Sequence, residues 1–136
     1  MKTWLLPTFI AMFCWGLWGF IPKITTRYVS PASALIYETI GVMVVGLSTL
    51  VFLRFRPDPD LRGMGLGIGT GILGMIGAFC YLVAVSRGKV SVISVMTAIY
   101  PVISVALAAM VLKEPVTLKE GLGMGFALLG IFLMAW

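Results

Sequence analysis

Apolar stretches of eighteen or more residues follow one another along this chain with only short polar breaks between them, and that succession decides most of what it can fold into. One such stretch is long enough to cross a bilayer, and in the hydrocarbon layer every backbone N–H and C=O must find a partner inside the structure. Helices meet that demand locally. The expected fold is therefore an all-α membrane protein, a bundle of about five transmembrane helices within a single domain covering residues 1–136. Composition agrees: 60% of the 136 residues are hydrophobic and 11% charged, and a mean hydropathy of +1.09 leaves too little polar surface to coat a soluble globule.

The breaks set the expected spans at about 4–21, 31–53, 64–85, 90–112 and 117–136. Pro22 is expected to close the first, before Lys23, Thr25, Thr26 and Arg27. Pro31 suits the first turn of the second, and Arg54 to Asp60 form the loop that follows it. The third is dense in glycine, a composition that favours close backbone contact in lipid. Lys113, Glu114 and Pro115 separate the last two. The run after Lys2 holds Trp15 and Trp18 and lacks a small-residue cleavage pattern, so this segment is expected to remain in the mature protein.

The formal charge of +5 does not point to nucleic acid, because the basic residues are scattered singly between apolar runs; lipid headgroups account for them better. Lys2, Arg54, Arg56, Arg62, Lys113 and Lys119 fall on one side of the expected bundle, and Lys23, Arg27, Arg87 and Lys89 on the other. Six against four leans toward a cytoplasmic N-terminus without enforcing it, and so nearly balanced a chain can insert either way round.

Without histidine, and with Cys14 and Cys80 each inside an apolar run, the chain offers no mixed metal site and no disulfide framework. It also lacks paired carboxylates and a phosphate-cradling G-x-x-x-x-G-K-[ST] loop, so neither an enzyme nor a cofactor is expected. Glu38 is the acid expected at membrane depth. Such a carboxylate either binds a cation or shuttles a proton, or it pairs with a base such as Lys23 or Arg27 near the interface.

On the fourth span Ser91, Ser94, Thr97, Pro101, Ser104 and Ala108 share one helical face, with Tyr100 beside it. That stripe is either a hydrated path loosened by Pro101 or a packing seam of serines bonded to their own backbone. On the first span Trp4, Thr8, Ala11, Trp15, Trp18 and Pro22 stack similarly, and Trp15 is deep enough to wall a cavity or simply to pack. Gly67 with Gly71, and Gly121 with Gly125, make G-x-x-x-G pairs that allow close helix contact, within one copy or between two.

Phe13-Cys14-Trp15-Gly16 with Lys23 downstream, the run Tyr81 to Ser86, Tyr100-Pro101-Val102, Leu112-Lys113-Glu114-Pro115-Val116-Thr117 and the stretch Gly121 to Gly130 together resemble one EamA-type domain of the drug/metabolite transporter superfamily. That resemblance spans nearly the whole chain. It implies one half of an inverted-repeat transporter, whose usual ten-helix form encloses a substrate cavity lined by the first, third and fourth helices of each half. By that carry-over Trp15, Trp18, Tyr81, Ser94, Tyr100 and Pro101 face a small-molecule cavity, and Glu114 caps the fifth helix. The second helix of such a half is not a main cavity wall, which sets Glu38 apart from that group. Two copies inserted antiparallel would rebuild the repeat, in the inner membrane of a prokaryotic cell. A non-transporting accessory subunit of a hetero-complex is the competing expectation.

Overall fold

The computed structural model describes residues 3–135, with side chains as far as Leu133; Lys2 of the basic tally and Trp136 of the last expected span lie outside the described residues. It is helical throughout, with no strand among the described residues. The chain divides into two units, Met1–Arg87 and Gly88–Trp136.

The first unit holds α1 (Leu5–Thr25), α2 (Pro31–Phe52) and α3 (Leu61–Arg87), with α3 packed on both of the others. Contrary to expectation, Pro22 does not end α1, which runs on to Thr25. The ring removes from the ladder the N–H that would reach the Trp18 carbonyl. One turn later, both the backbone N–H and the hydroxyl of Thr26 donate to the Pro22 carbonyl at 2.9 Å, so the last turn is tied down beyond the proline. Ser30 opens α2 by accepting the Ser33 N–H at 3.3 Å, with Pro31 at the first helical position. Its end is a tight turn in which Arg54 and Phe55 take φ of 52° and 59° and the Phe55 N–H closes on the Leu50 carbonyl at 2.9 Å.

Asp60 then caps α3, its side chain accepting the Gly63 N–H at 2.7 Å and its carbonyl the Met64 N–H at 2.9 Å. The helix therefore begins three residues before its expected start and ends two residues later. The buried side chains gather at one end of this unit: Pro22 on α1, Ala34 on α2, and Ala78, Tyr81, Leu82 and Val85 on α3. Outside that cluster most of the large apolar side chains are exposed, Leu66, Leu73 and Phe13 among them. Lipid or another chain is needed to cover them.

The second unit departs further from expectation. Its first span is not one α-helix but α4 (Val90–Thr97), a break at Ala98 and Ile99, α5 (Tyr100–Leu107) and a π-helical turn over Ala108–Leu112. Lys113 ends it in the left-handed region, φ 57°. The expected last span is helical over α6 (Leu118–Ala135), and α6 packs on α4. Four helical stretches among the described residues are long and apolar enough to cross a membrane: Leu5–Thr25, Pro31–Phe52, Leu61–Arg87 and Val90–Leu112 taken through its break.

Several hydroxyls at membrane depth are satisfied locally. Thr8, Thr39, Ser48, Thr49 and Thr70 each donate to the carbonyl four residues back, at 2.8 to 2.9 Å.

Candidate functional site

In the first unit the predicted aromatic residues fall on the seam between α1 and α3. Trp18 stacks on Tyr81 with ring centroids 5.3 Å apart and 27° between planes, an offset geometry that aromatic pairs favour. The Tyr81 hydroxyl donates to the Gly19 carbonyl at 2.6 Å, and one turn on the Lys23 ammonium donates to the Val85 carbonyl at 2.7 Å. Both bonds join residues 62 apart in sequence. Equal offsets at successive turns mean that α1 and α3 run parallel here and in register.

The chemistry of the seam explains its partners. α3 stops at Arg87, so the Val85 carbonyl belongs to a last turn without ladder donors, where a cation is favoured by the free lone pairs and by the helix dipole. Tyr81 is buried, and a buried phenol needs an acceptor. Trp15 is 63% exposed and Trp18 42%. One helical turn separates them on α1, so two indoles present adjacent apolar faces suited to stacking or to contact with a cation. Glu38 sits half-buried on α2, one turn beyond Leu35.

Ser94, Tyr100 and Pro101 belong to the second unit. Ser94 is half-buried; Tyr100 and Pro101 are exposed. Pro101 has no N–H to offer the Thr97 carbonyl, and the chain answers by tightening to three-residue bonds, Ile99 N–H to Met96 O at 3.3 Å and Val102 N–H to Ile99 O at 2.9 Å. The Thr97 hydroxyl donates to the carbonyls of Ile93 and Ser94, both at 3.0 Å, and Ser104 donates to Tyr100 O at 3.4 Å. These two hydroxyls of the polar stripe are thus bonded to their own backbone. The break at Ala98 and Ile99 is where the four-residue ladder of this span is interrupted.

A groove of about 500 Å³ lies within the second unit, walled by Ala108, Ala109, Gly123 and Ala127 with Glu114 and Glu120 toward the loop. The carboxylate that caps α6 is Glu120 and not Glu114. It accepts both the Thr117 N–H and the Thr117 hydroxyl at 2.8 Å, while the Glu120 N–H reaches back to the Thr117 oxygen at 3.3 Å. This is a reciprocal capping box, and the Thr-x-x-Glu spacing at 117–120 is the signal that identifies it. A second groove, about 550 Å³, runs between α2 and α3 along Leu35, Ile68, Gly71, Ile72, Met75 and Phe79. Gly67, Gly71, Gly121 and Gly125 all have open space where a Cβ would stand, among the described residues.

The model of the EamA-like transporter family matches residues 2–136. The chain is 29% identical over 104 residues to the uncharacterized protein MJ1333.1 of Methanocaldococcus jannaschii, a match covering 74% of this chain and 76% of that protein. No solved structure matches it.

Proposed function

Because the chain belongs to the EamA-like transporter family of the drug/metabolite transporter superfamily, we propose that it carries a small metabolite or drug-like solute across a prokaryotic inner membrane by alternating access, working as an antiparallel homodimer. The observation that carries this reading is the interrupted fourth span. Discontinuous helices near the middle of the membrane are where secondary transporters gather polar backbone around a substrate and where they flex. Here the interruption falls at Ala98 and Ile99, with Thr97 and Tyr100 beside it.

In this reading Trp15, Trp18, Ser94, Tyr100 and Pro101 line the path, with Tyr81 fixing the Trp18 ring from behind. The exposed indoles would give stacking surface for a flat or cationic solute, and the Thr97 carbonyl, which Pro101 cannot bond, would give an acceptor. The near balance of basic residues on the two sides supports antiparallel insertion.

The test is reconstitution of the purified chain in liposomes with a panel of labelled amino acids, nucleosides and hydrophobic cations. Uptake of one class, lowered at least tenfold by Trp15→Ala or Tyr100→Ala with the dimer intact, is expected. Wild-type vesicles that accumulate nothing would support the accessory-subunit reading instead.

A further inference from the structure

The α2–α3 groove is unlike a substrate site. Its lining from Leu35 through Phe79 carries no polar side chain at all, whereas sites that orient a small solute include a few placed polar groups. Along α3 it extends from Ile68 to Phe79, about 17 Å at the helical rise per residue. The hydrocarbon core of a bilayer is about 30 Å thick, so the groove matches one leaflet in depth.

The end of the groove marked by Leu35 and Phe79 lies near one membrane face. Leu35 stands one turn inside the start of α2 at Pro31, and Phe79 about 12 Å below the end of α3 at Arg87. That face of the first unit carries the exposed residues Arg27 and Arg87, and neither the α1–α2 connection nor the last two turns of α3 contains an acid. Planar guanidinium groups recognise phosphate through paired N–H donors; these two segments set no carboxylate against them, and the acid of α2, Glu38, stands one turn deeper than Leu35.

We propose that this groove and the two arginines form a binding site for one anionic phospholipid, an acyl chain lying along Ile68, Gly71 and Met75 and the phosphate held at the level of Arg27 and Arg87. The occupant follows from the combination. An open apolar groove of leaflet length suits an acyl chain, and arginines at the same membrane face favour a negative headgroup over a zwitterionic one. The proposal does not depend on the transport path.

Bound lipid counted on the purified full chain by native mass spectrometry, with phosphatidylglycerol or phosphatidylcholine supplied in turn, tests the assignment. The wild-type chain should retain phosphatidylglycerol in preference by about tenfold or more, the scale expected of two basic residues at a headgroup. The double variant Arg27→Gln/Arg87→Gln, altered only at exposed positions, should bring that preference close to unity. Gly71→Leu should lower retention of both lipids several-fold, since Gly71 lines the groove and nothing lies within 4 Å of the added Cβ. Equal retention of the two lipids by the wild type would overturn the proposal, as would a preference that survives the double arginine substitution. Loss of the dimer in Gly71→Leu with lipid retention unchanged would assign the groove to a second copy.

Discussion

The Tyr81 hydroxyl donates to the Gly19 carbonyl at 2.6 Å, and its ring lies under Trp18, so one buried side chain joins two parallel helices by both a polar and an apolar contact. Tyr81→Phe keeps the stack and removes the bond. It should cost about 0.6 kcal/mol, the scale of interhelical hydrogen bonds in membranes, while Tyr81→Ala should cost about 3 kcal/mol or more through the cavity it leaves. Thermal unfolding in detergent or bicelles measures both; equal losses would mean that the ring contributes nothing to the seam.

Lys23 makes the next tie, its ammonium 2.7 Å from the Val85 carbonyl. Lys23→Met keeps the alkyl stem and removes the charge at the end of α3, and should lower stability by about 1.5 kcal/mol, the lower range for a charged hydrogen bond. Lys23→Arg should recover part of that. A methionine variant as stable as the wild type would show the tie to be idle.

Pro101 decides the break in the fourth span. Pro101→Ala restores the N–H that the Thr97 carbonyl lacks, and should raise hydrogen-exchange protection of amides 98–102 by at least tenfold while slowing transport. Protection that stays unchanged would place the cause of the break elsewhere.

The capping box gives a local prediction. Thr117→Ala removes the hydroxyl that accepts the Glu120 N–H, and should fray the first turn of α6, seen as several-fold faster exchange at that amide with the later turns unaffected.

These tests also mark what the sequence could and could not reveal. The apolar runs fixed α2 to within one residue of its expected end, because Pro31 and the charged loop after Phe52 are strong local signals. They misplaced the end of α1, since a proline ends a helix only when the following turn finds no other support, and Thr26 supplies it here. They placed the start of α3 late because Asp60 reads as one more acid of the Pro-Asp-Pro-Asp loop until its side chain is seen on the Gly63 N–H. Pro101 was legible as a weak point, but the disruption sits at Ala98 and Ile99, toward the carbonyl that the ring displaces.

Of the predicted cavity residues, Trp18 and Tyr81 do meet. No periodicity could pair them, since the pairing depends on the register between two helices whose joined residues lie 62 positions apart. The Glu120 cap was legible in principle, but Glu114 lies beside the more conspicuous proline turn.

The central claim, a transporter built from two oppositely inserted copies, is tested most directly by labelling a small tag at either terminus from outside intact cells. The account predicts that roughly half the copies label at each terminus, as near-balanced flanking charges allow. Labelling of all copies or of none would fix a single orientation and contradict the antiparallel homodimer.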